Sequence, residues 1–420
     1  METILSIPMP VRLAVVFALG VCVGAAANWA IYGLAWNRRA ISPWSQRDPS
    51  APRRRLGDRL PIIGWLGLRR ETALHGPGFW VRPMLIEILT GAGLAWLYWW
   101  ETAKGGLLPF AVIALDDPLR QGVLHIQFVS HVVLIGLMLA ASMIDVDETA
   151  IPDEITVAGT LVGLLLAAAA PRSLLPGAMP DGPLALYWDF LHIASPGSWP
   201  AALGGAPNMY SLVLGLGCWL AWCFAILPRS WYSRHGWRRA ARLCYARVIR
   251  EPSTLRIARM AIIGSAVIVL VWFRGEIAWR SSLTALVGIA GGGGLVWAIR
   301  VVATAALRRE AMGFGDVTLM AMIGAFLGWQ PCLISFFLAP FAGVVLGVLR
   351  LVLFRDKEIF FGPFLCLATL VVIVWWDAVW SYTESAFAMG WLVPLAVLCC
   401  LALMAVMLCT WRLILSAFRR

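Results

Sequence analysis

Apolar runs of about twenty residues recur along the whole chain, and this repetition limits its fold more than any other feature. A run of that length crosses the hydrocarbon core of a bilayer as a helix. The 420 residues are 60% hydrophobic and 14% charged, whereas a soluble chain is about half apolar and about a quarter charged. Candidate spans fall near 11–36, 84–100, 128–144, 155–170, 209–227, 259–273, 282–306, 317–330, 332–353, 360–376 and 388–411. The expected fold is an all-α polytopic membrane protein with about eleven transmembrane helices. The 23 Trp suit that class, because indole rings favour the membrane–water boundary, and WLYWW (96–100) and WWDAVW (375–380) sit at run ends.

A net charge of +11 suggests nucleic acid only until the basic residues are located. Ten Arg lie in 37–82 and eight in 228–258, while 101–127, 171–208 and 274–281 are poor in Lys and Arg. This is the pattern of cytoplasmic loops, so nucleic-acid binding is not expected. Placing the N-terminus outside puts every basic segment inside, together with the C-terminal tail. Segment 228–258 reads as a partly amphipathic helix lying on anionic headgroups of the bilayer, with a docking surface for a partner as the competing reading. Segment 171–208, rich in Pro, Gly and Ala, reads as irregular loop. The N-terminal run carries Arg12 and a small-residue patch, as a signal peptide does, but its length favours a retained first span. Nine cysteines lie mostly inside apolar runs and form no CxxC pair, so neither a zinc knuckle nor a disulfide frame is indicated.

On this topology the span ending in ASMIDVDETAIPDEIT puts Asp145 at the cytoplasmic membrane edge, and RREAMGFGD puts Asp316 at the same depth. Ionisable groups there are costly and point to a functional site, although acids at helix ends also serve as caps or meet water. A close pair can divide the labour of hydrolysis. One carboxylate takes a proton from the attacking water, while the other, protonated, donates to the carbonyl oxygen. Gly313 and Gly315 would permit positive φ and a close approach of a substrate strand. Asp153, after Pro152 at a span start, reads as an N-cap, and Asp147 as a solvated acid.

AMGFGDVTLMAMIGAFLGW (311–329) resembles the GxGD signature of the type IV prepilin leader peptidases, multi-pass aspartic proteases of the bacterial inner membrane. IDVDETAIPDEIT (144–156) is similar to that family's first catalytic segment. GAAANWAIYGL (24–34), with Asn28, RLPIIGWLGLRRE (59–71), RPMLIEILTG (82–91), with Glu87, and FFGPFLCLA (360–368) are similar to further family segments. ALVGIAGGGG supplies Gly288 and Gly292 at a small-residue spacing that lets helices pack closely. The resemblance implies that Asp145 and Asp316 are the catalytic pair, with Gly313 and Gly315 in the active-site loop and Asp147, Asp153 and Glu87 as candidate supporting residues. It implies a prepilin or pseudopilin substrate, cut on the cytoplasmic side before its hydrophobic helix, with no cofactor needed for the cut.

The chain departs from the family pattern in three places. Loop 37–82 has no cysteine where many members carry two CxxC pairs, so zinc is not expected and the loop must fold by other means or stay mobile. The lysine usual after the GxGD aspartate is replaced at Thr318. The stretch between the two acids is longer than usual by room for two spans. S-adenosylmethionine-dependent methylation of the product stays open, and Glu87 either belongs to it or packs near a helix start. The expected organisation is a first span (1–36), the basic loop (37–82), spans with the first acid (83–170), an inserted region (171–281), spans with the GxGD acid (282–376) and a last span with a basic tail (377–420). One rival is a catalytically idle homologue acting as a scaffold in a pilus or secretion system. Another is a transporter, which would place its acids near mid-membrane rather than at span ends.

Overall fold

The computed structural model describes residues 6–46, 48–109, 118–180, 186–204, 208–227, 239, 242, 245–246, 250–308, 310, 312–354 and 361–418. Helix α1 (Met9–Leu34) leads into a stretch carrying the short helices α2 (Ile63–Leu68) and α3 (Thr72–His75), after which α4 (Val81–Tyr98) packs back along α1. A π turn at Trp99–Ala103 ends α4, and α5 (Pro118–Glu148) and α6 (Asp153–Ala169) follow. Strands β1 (Pro176–Pro180) and β2 (Leu186–Phe190) form an antiparallel hairpin that pairs Pro176 with Phe190. Then come α7 (Met209–Ala225), α8 (Pro252–Arg274), α9 (Glu276–Leu307), α10 (Phe314–Leu327), α11 (Trp329–Phe354), α12 (Phe361–Val374), α13 (Trp376–Phe387) and α14 (Leu392–Phe418).

The chain is an all-α membrane protein, and each of the eleven apolar runs coincides with a helix. Among the described residues, five helices are long and apolar enough to cross a bilayer alone, or six if α12 and α13 count as one span bent by 97°. That is fewer than the eleven expected, because hydropathy counts residues that the fold spends on breaks. Run 317–330, for example, is interrupted at Gly328, where φ is +89°. The 14-residue α10 that remains is about 21 Å long, short of a core of about 30 Å. The region read as irregular loop contains the β1–β2 hairpin. The basic segment 228–258 lies mostly outside the described residues.

The hub is α10, in which every residue from Asp316 to Leu327 is buried. A helix apolar all round belongs inside a bundle, and α6, α9, α11 and α12 enclose it. Backbones of α9 and α10 touch at Gly288 and Gly324, where a Cβ on either residue would run into the other's carbonyl. At one end of the bundle, indole N–H groups fasten the connections. Trp100 donates to the Val374 carbonyl at 2.8 Å, Trp329 to Ile193 at 2.8 Å and Trp376 to Pro176 at 2.6 Å. The last bond holds the hairpin against the α12–α13 bend.

Candidate active site

Three segments converge at the end of the bundle away from the hairpin: the last turn of α5 with the stretch up to Pro152, the first turn of α10, and the start of α12. Asp145 comes from the first and Asp316 from the second, with only 7% and 9% of their surfaces exposed. Asp316 lies within electrostatic reach of Asp145, and the buried Cys366 of α12 within reach of both. The Gly362 backbone N–H donates to Asp145. A Cβ on Gly362 would stand 2.6 Å from Asp145 Oδ2 and 3.0 Å from Ile151 Cδ1. Ile151 also closes on Gly315, where an added Cβ would meet its Cβ at 2.9 Å. Gly315 is thus required by close packing. Neither Gly313 nor Gly315 has a positive φ, contrary to the expectation, because this segment enters the helix from extended backbone at Gly313.

Side chains other than the two acids hold this geometry. Arg300 of α9 donates to the Met312 carbonyl at 2.9 Å and to Glu310 at 2.6 Å, and its guanidinium lies 5.8 Å from the Phe314 ring centroid. It fixes the approach to Asp316. Thr318, at the position of the usual lysine, donates to the Gly315 carbonyl at 3.0 Å and receives a hydrogen bond from the Thr156 hydroxyl at 3.0 Å. That chain of hydroxyls ties α6 to the first turn of α10.

The supporting acids divide. Asp153 is the first residue of α6 rather than its N-cap, and it caps nothing; Pro152 occupies the cap position. Asp147 is solvent-facing but not free, since both its oxygens accept from Arg82, at 2.8 and 2.9 Å. Its neighbour Glu148 accepts from the backbone N–H groups of Trp36 and Asn37 at 2.5 and 2.7 Å. The turn carrying Asp145 thereby grips both ends of the loop between α1 and α4. Glu87 is buried and accepts from Asn28 Nδ2 at 3.2 Å, Ile62 N at 2.5 Å and Trp65 Nε1 at 2.8 Å. It pins α2 to the α1–α4 pair.

That loop folds without cysteine. Arg54 forms a two-pronged pair with the buried Glu71, at 3.0 Å for both bonds. The same guanidinium donates to the carbonyls of Ser42 and Ala40, each at 2.8 Å. Arg70 grips Asp58 with both terminal nitrogens. Burial alone would push the Asp58 carboxyl up, but the Arg70 contacts and the Arg55 backbone N–H outweigh it and hold the group below the ordinary carboxylate value. Zinc does not fit these residues, because both buried carboxylates of the loop are already held by guanidinium groups. Among the described residues, no three of His, Cys, Asp and Glu gather closely enough to hold a metal ion.

Residues 253–348, which contain Asp316, match the model of the type IV leader peptidase family. The chain is 36% identical over 89 residues to the prepilin leader peptidase/N-methyltransferase of Aeromonas salmonicida (strain A449), covering 20% of this chain and 29% of that protein. It is 28% identical over 165 residues to the protein of the same name from Stutzerimonas stutzeri, covering 37% of this chain and 57% of that one. A third, from Myxococcus xanthus (strain DK1622), is 28% identical over 158 residues, 38% of this chain and 41% of that protein. The chain thus spans less than two thirds of the length of these curated relatives. No solved structure matches it. Together with a GxGD turn that brings its aspartate within electrostatic reach of a second buried aspartate, these likenesses relate the stretch around Asp316 to the type IV leader peptidase family.

Proposed function

We propose that the protein is an aspartic endopeptidase that removes the leader from type IV prepilins or pseudopilins. The observation that supports this most is the pair of buried carboxylates, Asp145 and Asp316, which come from distant helices and interact at one end of the bundle. Like charges so placed do not both ionise readily, so the pair holds one proton between them. The ionised member removes a proton from a water held between them as the water oxygen attacks the amide carbon. The protonated member donates to the carbonyl oxygen. Collapse of the tetrahedral intermediate then breaks the C–N bond: one carboxyl gives its proton to the departing nitrogen while the other carboxylate takes one from a gem-diol hydroxyl, which restores the singly protonated pair.

The Arg-rich loop and the acids share one end of the bundle. In this reading that end faces the cytoplasm, with the N-terminus on the other side of the bacterial inner membrane and the C-terminal tail inside. The substrate's basic leader would then lie among anionic headgroups while its apolar segment stays in the bilayer. The two oxygens of Glu87 already receive three N–H donors, which suits an anchor for the loop better than a ligand for S-adenosylmethionine.

The test uses the full-length protein in detergent and a synthetic peptide carrying a basic leader and the first apolar residues after it. One cut before the apolar segment is expected, and excess chelator should leave its rate unchanged. With S-adenosylmethionine supplied, mass spectrometry of the product should show a free N-terminus, whereas a gain of one methyl group would assign methyl transfer to the chain. Gly362→Ala should push the Asp145 carboxylate aside and lower kcat by about 10²-fold, with an unaltered melting profile.

A further inference from the structure

The connection between α1 and α4 carries an apolar stripe that nothing among the described residues covers. A 3₁₀ turn (Leu56–Arg59) runs through Leu60 and Pro61 toward α2, and Leu56, Leu60, Ile63 and Leu66 follow one another at helical spacing. Each of the four is between 47% and 84% exposed. The other face of this unit is closed. Trp65 and Leu68 are buried, and Gly64 packs so tightly on the Asp58 backbone that a Cβ there would overlap its carbonyl. Four neighbouring aliphatic side chains left in water are costly, and a contiguous apolar patch of this kind marks a contact surface.

Depth indicates what the stripe meets. The Ile62 backbone N–H and Trp65 Nε1 both donate to Glu87, which also accepts from Asn28. Asn28 precedes the end of α1, Leu34, and Glu87 follows the start of α4, Val81, by the same number of residues. At a rise of about 1.5 Å per residue, both helices place this contact about 9 Å inward from their ends. α1 has 26 residues and is about 39 Å long, so a hydrocarbon core of about 30 Å leaves about 5 Å of it outside at either end. α2 is therefore held just below the edge of the hydrocarbon, beside the α1–α4 pair rather than above it.

Charge narrows the partner. Arg53, Arg55 and Arg59 are exposed along the same unit, and the Arg59 guanidinium lies 5.5 Å from the ring centroid of the exposed Trp44. Guanidinium groups and an indole at the rim of an aliphatic face suit the phosphates and glycerol of lipid headgroups. They do not suit a second copy of the same face, which would set like charges against each other. We propose that Leu56–Leu68 is an interfacial anchor. Leu60, Ile63 and Leu66 lie among the acyl chains of an anionic leaflet, and Arg53, Arg55 and Arg59 lie on its phosphates. The connection is then seated in the leaflet rather than suspended in water.

Photocrosslinking tests it on the full-length protein in lipid nanodiscs. A benzoylphenylalanine replaces Ile63, whose exposure leaves the packing intact, and in a second variant it replaces Leu89, exposed on the flank of α4, as the reference for a lipid-facing site. Irradiation in phosphatidylglycerol should add phospholipid mass at both positions. In phosphatidylcholine the yield at position 63 should fall severalfold while that at position 89 holds. Arg55→Gln combined with Arg59→Gln should remove the difference between the two lipids at position 63. A lipid adduct at position 89 but none at position 63 would overturn the anchor, and so would a crosslink from position 63 to a second copy of the chain. Equal yields at position 63 in the two lipids would overturn the preference for an anionic leaflet.

Discussion

With Asn in place of either Asp145 or Asp316, cleavage of a leader-bearing peptide is expected to fall by about 10³-fold. Asn keeps the shape of the side chain but can neither accept nor deliver the proton that the reaction moves. Both residues are almost fully covered, so the substitution also takes a negative charge out of a desolvated place. Expression and melting temperature should therefore hold or rise. The two acids work as one unit, so the double variant should be no slower than either single one. Turnover is followed by mass spectrometry of the clipped peptide, with melting as the control. If either variant cuts at the wild-type rate, the pair has been assigned wrongly and the scaffold reading gains.

The second large effect is expected in the loop. Arg54→Ala leaves the fully covered Glu71 carboxylate with only His75 Nε2, at 3.4 Å, and withdraws a donor from the carbonyls of Ala40 and Ser42. Breaking one half of a buried pair costs about 3–5 kcal/mol, so the loop should lose its fold and become open to protease between α1 and α4. Added zinc should not restore it. Replacing Arg54 and Glu71 together by Leu should recover much of the loss, because no buried charge is then left alone. Acid should loosen the same region in a milder way. The Asp58 carboxyl is held below its unfolded value, so its contribution is complete above about pH 4 and is lost as pH falls through the lower, folded value. Proteolysis of the loop across that range, with Asp58→Asn as the reference, measures the effect.

Much of this architecture could be read from the sequence wherever one physical signal dominated. Unbroken apolar runs located the helices, and the acids at two run ends singled out Asp145 and Asp316, which the fold brings to one end of the bundle. Hydropathy does not register a break inside an apolar run, so the run count exceeded the number of helices long enough to cross a bilayer. Helix α13 was missed because its 12 residues, mixed in polarity, lie between a Trp-rich run and the last span. The hairpin was missed because strands containing Pro and Gly carry little alternation. Around the site, identity alone could not choose partners. Ten Arg lie in the loop, and nothing local says that Arg54 meets Glu71 while Arg82 meets Asp147. Glu148 acts on backbone groups of Trp36 and Asn37, far away in sequence, which leaves no local signature. Thr318 could be seen as a departure from the family, but the hydroxyl chain it completes with Thr156 could not.

The grip of Asp147 and Glu148 has a mechanical side. Both roots of the α1–α4 connection are fastened within three residues of Asp145, one through Arg82 and the other through the Trp36 and Asn37 amides. Any load that a docking molecule or the lipid surface places on that connection is delivered to the final turn of α5. The connection and the Asp145 carboxylate therefore share one turn of helix, and a substitution that frees either root is expected to disturb the position of Asp145.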